Sequence, residues 1–243
     1  VTPKEMGQNM TANQIYESGK TIAGELTKIG INLNLAPVAD LASDQNPSYA
    51  MRCLGSDADG VADLLDDFVS GMREGGLSVT LKTFPGIGNV SADVTESIAE
   101  NTDSLMTIRD TNFVPYASGI QAGADCVMVS NVAYSKLTVK KVPAFMSQDI
   151  VTKLLREELG FDGIVMTSPL NDNVIENNYT NEFAVVEAVK AGCDLIVLPG
   201  NFKECYEALI TAVEEGRIDE KVINTSVRRI LQNKIQRGIL VLE

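Results

Sequence analysis

The residues best placed for chemistry in this chain are carboxylates and long cations at the ends of short apolar runs. Asp40, Lys82 with Thr83, Asn131, Ser168 and Asn201 each follow such a run, and two longer loops add Asp44, Arg52, Asp93, Thr95 and Glu96. Carboxylates serve as acids, bases or nucleophiles, while Arg and Lys are multi-donor groups suited to hydroxyl and carbonyl oxygens. The 243 residues include no His, which excludes a Ser-His-Asp triad, a His-ligated metal and a histidine acid/base. Chemistry must therefore come from carboxylates, Lys, Arg, Tyr, Cys or the backbone. There is no Trp, so the strongest stacking platform is missing too. With 33 acidic against 20 basic residues, the formal charge of −13 repels phosphate backbones and argues against a nucleic-acid partner.

Cys53, Cys126, Cys193 and Cys205 form no C-x-x-C pair, so neither a zinc site nor any other metal centre is expected. Buried free thiols are the expected state. No apolar run reaches the ~18 residues of a membrane span. The opening VTPKEMGQNM has no charged n-region or apolar h-region, so the compartment is barely legible; an extracytoplasmic or lipid-anchored location is only weakly favoured over a cytoplasmic one.

The elements that must position these residues repeat one arrangement, a helix ending in Gly followed by an apolar run and a polar loop. Gly30 precedes INLNLAPVAD, Gly76 precedes LSVTLKTFPG, Gly123 precedes ADCVMVSNVAY, Gly160 and Gly163 flank the approach to IVMTSPL, and Gly192 precedes CDLIVLPG. Glycine suits the left-handed residue that closes a helix. The runs are continuous and rich in Val, Ile and Leu, as in parallel strands buried on both faces. Between them lie helical stripes: Ile15, Ile22, Leu26 and Ile29; Val61, Leu64, Leu65, Phe68, Val69 and Met72; Ile150, Leu154, Leu155 and Leu159 after a candidate N-cap, Ser147; and Val222, Ile223, Val227, Ile230 and Leu231. Asp57, Asp59, Asp63, Asp66 and Asp67 suit the wet side and N-terminal end of the second of these. The reading is an α/β chain of about five βα units, either an open sheet or the later part of a barrel, with the site at the carboxyl ends of the strands.

The phrases NLNLAPVAD, MRCLG, KTFPGIG, VMVSNV, PAFMS, LLREELGFDGIVMTS and AGCDLIVLPG, taken in this order, resemble the N-terminal barrel domain of glycoside hydrolase family 3, especially its β-N-acetylhexosaminidases. The resemblance implies a (β/α)8 TIM-barrel-type fold. Its fourth to eighth strands match the runs here, making residues 1–243 a single partial barrel domain with two open sheet edges. It also implies retaining glycoside hydrolysis, with a nucleophilic carboxylate and a proton donor about 5–5.5 Å apart, and no cofactor.

The same resemblance exposes departures at the chemistry. The nucleophile position is Ser168, a hydroxyl with no adjacent base. The acid/base pair is Asp-x-His in the hexosaminidases; its Asp is retained as Asp93, and its His falls at Thr95. Two further family histidines are replaced by Thr83 and Ile87, and the strand that usually ends in His ends in Asn131. Arg52 and Lys82 match sugar-contacting residues, with an ion pair to Asp40 or Asp44 as the alternative role; Asp40 is expected to hold the loop that carries Arg52. Glu96 and Asp172 are the carboxylates that could stand in for the lost proton donor and nucleophile. The expectation is a catalytically silent relative that binds carbohydrate, an amino sugar or a peptidoglycan fragment. The alternatives are an active hydrolase using other carboxylates or an N-terminal segment beyond this sequence, and an assembly subunit, either a homo-oligomer or a chain completed by such a segment, pairing through the open edges.

Overall fold

The computed structural model describes residues 1–88, 90 and 93–241. The chain opens with helices α1 (Pro3–Asn9) and α2 (Ala12–Lys28), each started by a threonine capping box, Thr2 with Glu5 and Thr11 with Gln14. Strand β1 (Leu33–Asn34), α3 (Pro47–Ala50), α4 (Ala58–Glu74) and β2 (Ser78–Phe84) follow. Next come β3 (Glu100–Asn101), α5 (Leu105–Asp110), α6 (Phe113–Gln121), β4 (Cys126–Val129) and β5 (Ala133–Tyr134). After a wide π-type helix, Asp149–Glu158, the chain ends with β6 (Ile164–Thr167), α7 (Asn173–Glu176), α8 (Asn181–Ala191), α9 (Phe202–Glu214) and α10 (Glu220–Gln236).

The main sheet has the order β1-β2-β4-β6, every pair parallel, with Leu33 beside Ser78, Thr80 beside Cys126 and Cys126 beside Ile164. Its strands are buried on both faces, which is why their sequences read as unbroken apolar runs. Val79, Leu81, Val127, Val129 and Val165 join the large core that includes residues of α4, α6 and α8. Cys126, Met128, Ile164 and Met166 form a smaller cluster with Leu33, Leu195, Val197 and Ile230. All four cysteines are free and buried.

The glycines expected to close helices do so. Gly30, Gly76, Gly123, Gly160 and Gly192 all have φ between +67° and +111°. Helices α2 and α4 cross closely enough that a Cβ on Gly71 would lie 2.1 Å from the Tyr16 carbonyl oxygen. Asp57 caps α4, accepting the Gly60 N–H at 2.8 Å.

Three expectations need correction. The run Leu195–Leu198 forms no strand; it meets β6 through a single bridge, Met166 to Leu195. The main sheet therefore has four strands, not five, and among the described residues it does not close. A second two-stranded sheet, β3 with β5, lies in the connections that the sequence marked only as loops. Ser147 is not a side-chain cap: its carbonyl oxygen accepts from Ile150 and Val151, and the helix continues in the wider register. The last stripe does form the expected helix, α10, with Val222, Ile223 and Ile230 partly buried against the core and Val227 and Leu231 exposed.

Two aspartates lock the lower end of the sheet. Asp125, one residue before β4, accepts the Val79 N–H of β2 at 3.0 Å, Arg73 Nη1 at 3.1 Å, Asn233 Nδ2 at 3.1 Å and Arg237 Nη2 at 2.7 Å. Asp194, one residue before Leu195, accepts the Val165 N–H of β6 at 2.9 Å, Arg156 Nη2 at 2.5 Å and Arg229 Nη1 at 3.1 Å. Each carboxylate thus joins a neighbouring strand, the end of the helix before that strand, and α10. Removing one partner leaves buried charge uncompensated. Asp194→Ala is expected to cost about 3–5 kcal/mol in urea unfolding, whereas Asp149→Ala, which breaks the exposed pair with Lys153, should cost under about 1 kcal/mol.

Candidate functional site

The candidate residues gather at the carboxyl ends of the strands, where β2 carries Lys82, β4 leads to Asn131 and β6 to Ser168. The segment after β1 runs alongside β2: Val38 bridges Lys82, and the Ala39 N–H donates to the Lys82 carbonyl oxygen at 2.8 Å. This brings Asp40 to the rim, where it is buried and saturated. Its carboxyl accepts from Tyr49 Oη at 2.5 Å, Thr83 N at 3.1 Å, Thr83 Oγ1 at 2.9 Å and Tyr116 Oη at 2.9 Å. Burial nevertheless raises the Asp40 pKa, against the pull of these hydrogen bonds. Because Tyr49 lies in α3, three residues before Arg52, this network ties the segment that carries Arg52 to β2.

Among the described residues, Arg52 and Lys82 form no ion pair, so the pairing with Asp40 or Asp44 is absent. Arg52 stands over the Tyr49 ring, 5.2 Å from its centroid. It lines a cleft of about 370 Å³ with Tyr49, Ile87, Asp93 and Thr95. It also lines a second hollow, about 320 Å³, with Lys82. Burial lowers the Lys82 pKa, and the neighbouring charge of Arg52 adds to the effect. Asp44 is exposed, and Asn201 caps α9, accepting the Glu204 N–H at 3.4 Å.

Ser168 is 6% exposed. Its hydroxyl donates to the Val129 carbonyl oxygen at 2.9 Å, an acceptor that cannot take up its proton. Thr95 donates both its N–H and its hydroxyl to Asp93 Oδ1, at 2.9 and 2.7 Å. These bonds lower the Asp93 pKa, the side-chain bond most. Thr83 spends its hydroxyl on Asp40, and Ile87 is buried in the main core. Asn89, Ser91 and Ala92 of the loop after β2 lie outside the described residues.

The structure also assembles groups that sequence spacing kept apart. Asn131 Nδ2 donates to Asp172 Oδ2 at 2.9 Å. Asn173 Nδ2 donates to both carboxylate oxygens of Glu96, at 3.1 and 3.0 Å, and the Val174 N–H donates to the Thr95 carbonyl oxygen at 2.7 Å. The loop carrying Asp93 and Glu96 is thereby sewn to the loop carrying Asp172. The Asp172 pKa is raised, first by burial and then by the charges of Asp93 and Glu96. Tyr49, Tyr116 and Asn173 were not singled out from the sequence. Tyr116 lies 76 residues from Asp40, and no local signal links them.

A family profile described as the glycosyl hydrolase family 3 N terminal domain matches residues 2–233. The chain belongs to this family. Its first 32%-identical relative is a β-hexosaminidase of Xylella fastidiosa (strain M23), matched over 75% of this chain and 54% of the relative. A family 3 β-N-acetylglucosaminidase from Paenibacillus sp. str. FPU-7 superposes with a TM-score of 0.94 at 33% identity, over 99% of this chain and 48% of that one. A β-N-acetylhexosaminidase from Beutenbergia cavernae gives 0.88 at 30% identity, over 98% and 71%. The chain spans about half the length of the curated relatives it matches. The α/β architecture and parallel sheet are those of the family's barrel-like domain, here with open sheets.

Asp40 gives the site a pH signature. A carboxyl whose pKa is raised by folding stabilises the fold below its unfolded pKa, and that contribution is lost as pH rises through its folded value. Stability should therefore fall as pH rises above the ordinary carboxylate range. Asp40→Asn should flatten this fall, read as urea midpoint against pH.

Proposed function

We propose that this chain is a family 3 domain that binds carbohydrate, an amino sugar or a peptidoglycan fragment, without the family's double displacement. The observation that carries this reading is Ser168. Where the family resemblance places the attacking carboxylate, there is a hydroxyl turned to the Val129 carbonyl oxygen. Formation of a glycosyl-enzyme requires an anion at that point. The proton-donor position has the same character: the Thr95 hydroxyl donates to Asp93, and threonine does not cycle a proton near neutral pH. Arg52, Lys82 and Asn131 are the residues assigned to holding the ligand, with Arg52 and Lys82 offering donors to ring hydroxyls, while Asp40 holds the segment that carries Arg52. Residues 1–243 act in this reading as one partial barrel domain, with no cofactor in the binding step.

A second reading, an active glycosidase, draws on the convergence of Asp172 with Asp93 and Glu96. A carboxyl whose pKa is raised by burial and by neighbouring charge suits the part of a general acid. A third reading, an assembly subunit, draws on the exposed apolar residues of α9 and α10.

Calorimetry with N-acetylglucosamine oligomers is expected to show binding that Arg52→Ala weakens by about tenfold, while nitrophenyl N-acetylglucosaminide is released no faster than in buffer. Turnover at enzymatic rate, abolished by Asp172→Asn or Glu96→Gln, would establish the second reading instead. A stable monomer in light scattering would remove the third.

A further inference from the structure

Arg52 and Lys82 face one hollow. Both line the cavity of about 320 Å³ whose walls also include Leu35, Pro37, Leu54 and Phe68, a size at the low end of small-ligand sites. Among the described residues neither cation pairs with a carboxylate, although the chain carries 33 acidic side chains. The rim carboxylates are engaged elsewhere. Asp40 accepts from Tyr49, Thr83 and Tyr116, Asp93 accepts both Thr95 donors, and Asp172 accepts the Asn131 amide. Lys82 is half-buried, yet its ammonium makes no hydrogen bond among the described residues and stays open to solvent.

A half-buried cation without a counter-charge is costly, and a second cation on the same hollow adds to the cost. Burial and the charge of Arg52 both press Lys82 toward its neutral form, against the opposing pull of Asp40. A sugar hydroxyl accepts from either side chain but leaves both charges standing. An anionic group removes the repulsion. A guanidinium offers a carboxylate or phosphate two parallel N–H donors, and an ammonium adds a compact point charge. The apolar walls limit screening by water and strengthen the pairing. Arg52 also lines the cleft with Tyr49, Asp93 and Thr95, and the ring beneath its guanidinium is held by the 2.5 Å bond from Tyr49 Oη to Asp40. It is therefore the wall that the two hollows share. A sugar ring in the cleft lies against one side of Arg52, with the Lys82 hollow on the other.

We propose that Arg52 and Lys82 form an anion subsite that takes the carboxylate or phosphate substituent of an acidic sugar. The inference rests on the carbohydrate-binding reading and adds a negative charge to its ligand. The field of the whole molecule works against such a ligand, since the chain carries a formal charge of −13. A preference for the acidic sugar must therefore come from the local pair.

The test is calorimetry of the whole chain with methyl β-glucuronide, methyl β-glucoside 6-phosphate and neutral methyl β-glucoside, beside N-acetylglucosamine oligomers. At least one acidic glycoside is expected to bind about tenfold more tightly than the neutral one, by a margin that shrinks as salt is raised. The larger margin identifies the anion as carboxylate or phosphate. Arg52→Gln, at an exposed position, and Lys82→Gln should each remove most of the margin. Lys20→Gln deletes the same charge from the exposed pair with Glu74 on α2 and should leave the margin intact. Equal or tighter binding of the neutral glycoside, or binding of the N-acetylglucosamine oligomers alone, would overturn the anion subsite and leave the carbohydrate reading standing. A margin that survives both Arg52→Gln and Lys82→Gln would overturn the assignment to these residues. Inorganic phosphate or acetate binding as tightly as the acidic glycosides would overturn the claim that the subsite serves a sugar. Binding of none of these ligands would overturn the carbohydrate reading, and the subsite with it.

Discussion

The sheet is organised from its lower end by two buried aspartates. Asp125 and Asp194 each stand one residue before an apolar run, and each accepts the backbone N–H of a neighbouring strand. These bonds pin the start of each apolar run to its neighbour, beside the backbone ladders that pair the strands. The guanidinium groups of Arg73 and Arg156 then fix the ends of the preceding helices, and Arg237 and Arg229 draw α10 across both sites. A parallel sheet takes no register from hairpin turns, so a fixed point at the start of each strand matters more here than in a meander. Asn131 and Ser168, at the opposite end, follow β4 and β6, the strands that these two carboxylates anchor at their starts.

At that opposite end, the rim residues are held by hydrogen bonds and packing among themselves. The positions where the resemblance expects imidazoles are absorbed into neutral contacts. Thr83 becomes a donor to Asp40, Ile87 enters the core, and Thr95 folds back on Asp93. Each of these side chains satisfies local hydrogen-bonding or packing needs. Asp40 illustrates the balance. Its four donors, from Tyr49, Thr83 and Tyr116, make it a structural hub of the rim rather than a free carboxylate.

Much of the architecture was legible in the chain. Glycines at helix ends predicted left-handed closures, and Gly30, Gly76, Gly123, Gly160 and Gly192 all have them. The run CDLIVLPG did not become a strand, because continuous apolar character reports burial and not pairing. The pair β3 and β5 was invisible, since Glu100–Asn101 and Ala133–Tyr134 are too short for any periodicity to register. The aspartate lock did leave a trace: Gly-Ala-Asp before β4 and Gly-Cys-Asp before Leu195 repeat at the same offset. The rim was legible as a set of positions. Its interactions were not, because Asp40 with Tyr116 and Asn131 with Asp172 are joined only by the fold.

The outermost helices carry a consequence of their own. Phe202, Tyr206 and Ile210 line one side of α9, and Val227, Leu231 and Ile235 one side of α10, all exposed to water. Patches of this kind attract one another in concentrated solution. What opposes that attraction is the surplus of negative charge, −13 over the whole chain. Because ions shorten the reach of that repulsion far more than they weaken apolar contact, the colloidal state of this protein is governed by the ionic content of its medium.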